Sequence, residues 1–295
     1  MKDIYVLGSL NIDMTIESPQ VPKQGETITG QNFYMNPGGK GANQAVACAR
    51  AGGRTLFCGR IGSDMFGKIV HNSLLEAHVD CTCLFETENV STGVAVILVV
   101  EENNRIIVDS GANSTLTESD VESFLSNAKQ GDILLVQAEI PLTVLRKAMM
   151  LAVHYKMKIL FNPAPAIKEL NELIPYCDVI LPNETELAIL SGKDNISEGA
   201  EFLGENEVDV VVTLGENGCY YRPKGSVGTF YPCKKVKTVD TTAAGDTFCG
   251  YLAVKLAENA SMENAINFAQ KAASLSVTQR GAQASIPYRY MLEDE

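Results

Sequence analysis

The 295-residue sequence has no basic block: 24 Lys and Arg stand against 36 Asp and Glu, for a net charge of -12. A nucleic acid or an anionic membrane surface calls for a positive footprint, so neither is expected as a partner, and any anionic ligand must be held by a local device. Apolar runs long enough to cross a bilayer are missing too. VAVILVV at 94–100 has strand length, against the roughly 20 residues that a spanning helix needs. The amino terminus, MKDIYVLGSLNID, carries Asp3 and turns polar early, which fits a first strand rather than a secretory signal, and a cytoplasmic location is expected. Histidine is scarce, with three residues, and the closest cysteine pair, Cys81 and Cys83, lacks zinc-site spacing. The eight cysteines are scattered in a chain too long to depend on staples, so reduced thiols are expected. Two nucleotide signatures, G-x-x-x-x-G-K-[ST] and G-x-G-x-x-G, do not occur.

What is present is an alternation of β-rich and amphipathic helical stretches. IYVLGS precedes KGANQAVACARAG, DILLVQ precedes PLTVLRKAMMLAVHY, MKILFN precedes a helical segment, DVILPN precedes ETELAILSG, and DVVVTLG follows. This rhythm predicts an α/β fold: a mainly parallel sheet flanked by helices on both faces, with ligands at the carboxyl ends of its strands. Residues 14–35 and about 88–112 alternate with period two and lack helices, which predicts a small antiparallel β lid inserted into a single domain of residues 1–295. Two packed helices are expected between Gly245 and about Gln279.

The polar residues of interest fall where strands end. Asn11 and Asp13 in GSLNID share one face of an extended chain and either grip vicinal hydroxyls or cap a turn. In NPGGKGANQA, three glycines allow close backbone approach just before a helix, with Lys40 and Asn43 available to polyol oxygens; a tight turn explains the same glycines. Asn183 and Glu186 in PNETE are three apart, either an outer-shell grip on hydrated Mg²⁺ or a capping pair at a helix start. Thr213, Gly215 and Gly218 follow an apolar strand and either admit a flat nucleotide or form a hairpin. In DTTAAGDTFCG, the small residues Ala243, Ala244 and Gly245 clear a landing place for phosphate at a helix start, and Asp246 beside it is either an acid favoured by the N–H groups and dipole of any first helical turn or a base for an acceptor hydroxyl in phosphoryl transfer.

GGKGANQA, PNETE and DTTAAGDTFCG occur in the order and at the separations of the ribokinase family, and PKQGETITG, NPAPA and RGAQAS extend the similarity over almost the whole length. The sequence therefore resembles the ribokinase-like carbohydrate kinases. The resemblance implies an α/β domain with a β lid that forms a homodimer contact, and transfer of the ATP γ-phosphate to the 5-hydroxyl of D-ribose. It assigns Asp246 as base and the N–H groups of Ala243, Ala244 and Gly245 as anion hole. Sugar contacts fall on Asn11, Asp13, Gly39, Lys40, Asn43 and Glu139. Asn183 and Glu186 would organise Mg²⁺ and phosphate, while Thr213, Gly215, Gly218 and Gly245 lie along the nucleotide. A potassium-type cation is implied beside Asp240, Thr242, Ser276, Gly281 and Ser285.

The wider sugar-kinase pattern has Gly at the position of Ala243. Alanine there predicts that the loop has no need of a positive φ. The acceptor is expected to be ribose, with 2-deoxyribose, fructose or a nucleoside as alternatives inside the family and a non-catalytic sugar-binding regulator as the alternative outside it.

Overall fold

The structure, a computed structural model, describes residues 1–101 and 103–293. Position 102, within the 88–112 stretch assigned to the lid, and positions 294 and 295 of the expected domain lie outside the described residues. The strands are β1 Ile4–Leu7, β2 Asn11–Glu17, β3 Gln31–Gly38, β4 Thr55–Gly62, β5 Asp80–Thr87, β6 Gly93–Val100, β7 Asn103–Asp109, β8 Ile133–Gln137, β9 Lys158–Asn162, β10 Val179–Ile180, β11 Asp209–Thr213, β12 Cys219–Arg222 and β13 Thr229–Tyr231. The α-helices are α1 Lys40–Arg50, α2 Met65–Glu76, α3 Glu118–Leu125, α4 Leu142–His154, α5 Glu184–Ser191, α6 Ile196–Gly204, α7 Ala244–Ala257, α8 Met262–Ser276 and the single turns α9 Ala282–Ser285 and α10 Tyr290–Glu293.

Nine strands form the large sheet in the order β13-β12-β11-β10-β9-β8-β1-β4-β5. From β5 to β11 every neighbouring pair is parallel, and the β11-β12-β13 edge is antiparallel. Alternate side chains enter two cores. Ile4, Val6, Ile133, Leu135 and Leu160 lie on the face covered by α1, α7 and α8. Tyr5, Leu7, Leu134, Val136 and Ile159 lie on the face covered by α3 and α4. Burial on both faces is why these strands read as unbroken apolar runs. It also isolates the exception: Gln137, the last residue of β8, is polar and fully buried.

The second sheet has the order β3-β2-β6-β7 and draws on both period-two stretches, reaching beyond residues 14–35 to Asn11 and Gly38. Its outer pairs are antiparallel and its central pair, β2 with β6, is parallel. That pair cannot be closed by a hairpin, because β6 arrives from β5 of the large sheet. Only Gly8, Ser9 and Leu10 separate β1 from β2, so the second sheet springs from the carboxyl end of a central strand of the first.

The segment after MKILFN differs from the helix expected there. It is a 3-10 run over Lys168–Tyr176 that contains Pro175, whose ring lacks the N–H an α-helix would use. The carboxyl-terminal pair, α7 and α8, packs as anticipated. All eight cysteines are free, and no described helix is long and apolar enough to cross a membrane.

Candidate active site

The start of α1 is pressed against the link between the two sheets. Gly39 adopts φ 88°, and a Cβ there would lie 2.8 Å from the Asn11 nitrogen. A Cβ on Gly41 would come within 2.6 Å of Gly8 and Ser9 backbone atoms. The glycines thus serve both a turn and a close approach, and the approach carries Lys40 and Asn43 to the end of β1. Glu139, just beyond β8, closes the third side: its Oε2 accepts from Ser9 Oγ at 2.5 Å and from the Lys40 N–H at 3.1 Å.

Charges are crowded here. Burial raises the Asp13 carboxyl to about 7, with Glu139 and Asp246 pushing the same way and Lys40 opposing. Burial alone would lower Lys40, but Asp246, Glu139 and Glu186 outweigh it, and its pKa is raised. One ammonium therefore stands among several carboxylates.

Asp246 is buried in the first turn of α7. Its Oδ2 accepts from Asn43 Nδ2 and its Oδ1 from Gln44 Nε2, both at 3.0 Å. Consecutive residues of α1 therefore clamp one carboxylate. Ala243, which precedes α7, has φ 60° and ψ 11°, in the left-handed region. The expectation that its alanine marks a position without positive φ is thus overturned. A left-handed conformation costs an L-residue roughly 1 kcal/mol. It persists because the chain must turn sharply into α7: Ala244 N–H donates to the Thr241 carbonyl at 3.2 Å, and the Thr247 N–H and hydroxyl both donate to the Ala243 carbonyl at 2.8 Å. The Ala244 N–H is thereby engaged inside the turn, while a Cβ on Gly245 would meet nothing within 4 Å, so the helix start faces open space at Gly245.

Asn183 and Glu186 form a reciprocal capping box at α5: Glu186 N–H donates to Asn183 Oδ1 and Asn183 N–H to a Glu186 carboxylate oxygen, both at 2.8 Å. Burial raises the Glu186 carboxyl, against the pull of the Asn183 N–H and Lys40. A parallel bridge sets Asn183 beside Thr213 at the end of β11. Beyond Thr213 the chain makes the β11-β12 hairpin, in which Gly215 and Gly218 have φ 54° and 94°. Thr213, Gly215 and Gly218 line a cleft of about 390 Å³ together with Ala244, Gly245 and Phe248. The hairpin and the cleft are one feature.

Asp240 joins two loops. Its Oδ1 accepts from the Thr242 N–H at 2.9 Å and the Thr242 hydroxyl at 2.6 Å, and its Oδ2 from the Gly281 N–H at 2.9 Å. Burial works to raise its pKa, yet these hydrogen bonds and Arg280 hold it below the usual carboxylate range. Ser276 and Ser285 turn their hydroxyls back onto the Ala273 and Ala282 carbonyls of their own helices. Asp240, Thr242 and Gly281 are thus in direct contact. Ser276 is tied to this cluster through its neighbour Val277, whose carbonyl accepts from the Asp240 N–H at 3.2 Å, and Ser285 ends the single turn that Gly281 opens.

Five further polar residues complete the site: Ser9, Gln44, Asn113, Gln137 and Asn162, all buried. Gln44 lies inside the GGKGANQA motif, and Gln137 and Asn162 close the apolar runs DILLVQ and MKILFN. A polar residue at the carboxyl end of a doubly buried strand is a legible signal for such positions.

The chain matches the pfkB family carbohydrate kinases over residues 1–289. It is 41% identical to the ribokinase of Haemophilus influenzae, with 98% of this chain and 96% of that one covered. The structure of ribokinase from Thermotoga maritima superposes with a TM-score of 0.91 at 36% identity, covering 100% of this chain and 99% of that one. That of Arabidopsis thaliana ribokinase complexed with ribose and ATP superposes with a TM-score of 0.89 at 31% identity, covering 99% and 98%. With the family pattern matched over residues 1–289 and a relative 41% identical over nearly the full length of both chains, the chain belongs to the pfkB family of carbohydrate kinases.

Proposed function

We propose that the chain transfers the γ-phosphate of ATP to the 5-hydroxyl of D-ribose, giving ribose 5-phosphate and ADP. The observation that carries this reading is the position of Asp246. It follows Gly245, which lines the cleft with Thr213, and its carboxylate is held by Asn43 of the same α1 start whose Lys40 N–H donates to Glu139. The match to a relative complexed with ribose and ATP supports the substrate pair.

Asn11, Asp13, Gly39, Lys40, Asn43 and Glu139 hold the sugar, carboxylates accepting from its hydroxyls and amide and ammonium groups donating to them. Asp246 takes the proton of the 5-hydroxyl. That oxygen forms its bond to the γ-phosphorus as the bond to the β-γ bridging oxygen breaks, and ADP departs. The N–H groups of Ala243 and Gly245 at the start of α7, with that of Ala244 once it leaves the Thr241 carbonyl, receive the charge of the moving group, with the helix dipole adding to them. Thr213, Gly215 and Gly218 seat the nucleotide.

Mg²⁺, when bound, would supply positive charge that offsets the charge of the phosphates. Asn183 Oδ1 and one Glu186 oxygen are occupied by the capping box, so this pair fits a hydrated ion held through its waters. A K⁺ ion fits beside Asp240, whose ionised carboxylate keeps lone pairs beyond its three internal hydrogen bonds, with Thr242, Ser276, Gly281 and Ser285 supplying neighbouring oxygens. The second sheet acts as a lid. Its exposed apolar side chains Phe33, Met35, Ile106, Ile107 and Val108 suit burial against a second copy, which makes a homodimer, and we assign the protein to the cytoplasm.

ADP release with Mg-ATP, measured against ribose, 2-deoxyribose, fructose and adenosine, tests the reading. Ribose giving the highest kcat/KM is expected. Preference for 2-deoxyribose would move the acceptor, and sugar binding without sugar-dependent ADP would remove the kinase.

A further inference from the structure

Behind Asp246 lies a chain of buried amides whose orientation is forced from one end. The Leu181 carbonyl accepts only, so the Asn162 atom 2.8 Å from it is Nδ2. Asn162 then turns Oδ1 toward Gln44, and the Gln44 atom 3.0 Å away is Nε2. That nitrogen spends its other hydrogen on Asp246 Oδ1. Gln44 Oε1 consequently faces Gln137, whose Nε2 donates to it at 2.6 Å. Gln44 and Gln137 are both fully buried, so bulk solvent does not reach these positions.

Resting on the assignment of Asp246 as base, we infer that Gln44 is a positioning residue for it, and that Asn162 and Gln137 fix which way Gln44 points. With a donor from Gln44 on Oδ1 and one from Asn43 on Oδ2, the carboxylate cannot rotate without losing a buried hydrogen bond. The lone pairs left over face the sugar hydroxyl. A glutamine free to flip would offer Oε1 to Asp246, an acceptor against an acceptor; the Leu181 carbonyl excludes that state. The strand ends of β8 and β9 therefore reach the reacting hydroxyl without touching it.

Three variants test this. Gln44→Met removes both donors at similar length, and we expect kcat to fall about 100-fold with KM for ribose and for ATP within about threefold of wild type. Gln137→Met leaves Gln44 in place but unoriented, with a smaller fall of about tenfold. Gln44→Glu sets a second carboxylate against Asp246 and moves the acid limb of the kcat-pH profile upward by about one pH unit. That shift is read against wild type, because Asp13, Lys40, Glu186 and Cys249 also act on the site electrostatically and are unchanged. Wild-type kcat in Gln44→Met, or losses in kcat and both KM values that merely track a lowered Tm, would overturn the inference. Should Gln44→Met fail to fold, an unmoved pH profile in Gln44→Glu together with wild-type kcat in Gln137→Met would do so. Asp246→Asn, assayed alongside, separates the two levels: activity retained there removes the base itself, whereas an inactive Asp246→Asn with an unimpaired Gln44→Met removes only the positioning role.

Discussion

Asn113 holds Asn11 in one orientation. Its Oδ1 accepts from the Leu10 N–H at 2.9 Å, and its Nδ2 donates to the Leu10 carbonyl at 3.1 Å and to Asn11 Oδ1 at 2.8 Å. With Oδ1 of Asn11 so engaged, its Nδ2 is the atom left to meet a sugar hydroxyl. Asn113→Ala is expected to raise KM for ribose about tenfold while kcat changes little, because a binding group and not the base loses its support. The Leu10 N–H and carbonyl also lose a partner, so stability falls by about 1–3 kcal/mol, readable by urea unfolding. An unchanged KM would deny the orienting role.

The Asp13 carboxyl, raised to about 7, makes sugar binding sensitive to pH. Ionised, it only accepts; protonated, it loses acceptor capacity. KM for ribose is expected to climb as pH falls below about 7, and ribose binding near that pH to release protons, seen as a buffer-dependent calorimetric heat. For folding the sign is opposite to that of a salt-bridged acid. The native state binds the proton between the unfolded pKa near 4 and the folded value near 7, so the contribution of Asp13 to stability is largest in acid and is lost as pH rises through that window. Asp13→Asn should flatten the pH dependence of KM, and a slope retained in that variant would assign it elsewhere.

Ala243 sits at φ 60°, where glycine pays no steric penalty. Ala243→Gly is expected to stabilise the fold by up to about 1 kcal/mol, relief of the left-handed turn outweighing the greater freedom of the unfolded chain, with activity retained. Thermal unfolding checks it. A lower Tm would mean that the methyl group packs better than the turn strains.

Exchange of K⁺ for Na⁺ or Tris is expected to lower kcat or raise KM for ribose. The ion would lie on the Asp240 hub, which reaches the start of α7 within a few residues. Indifference to the exchange would discard the cation site.

The architecture was legible because doubly buried strands leave uninterrupted apolar runs and their crossovers leave helical periodicity. Motif residues were legible where glycine and small residues gather just before a helix, as at Gly39 and next to Asp246. The parallel β2-β6 pair was not, since period two is the same in either direction. The conformation of Ala243 was hidden too, because hydrogen bonds from Thr247, one helical turn on, hold the residue against its own preference. Gln44 escaped notice for a simpler reason: a glutamine next to a useful asparagine in a helix carries no mark of which neighbour it will face.

The short link Gly8–Leu10 between β1 and β2 has a mechanical consequence. Asn11 and Asp13 ride on the small sheet and Asp246 on α7, which packs on the large one, so a pentose gripped by all three rivets the two layers together. Affinity for the sugar and the stiffness of that joint then become a single quantity, and substitutions at the joint that never touch the pentose will register as changes in how firmly it is held.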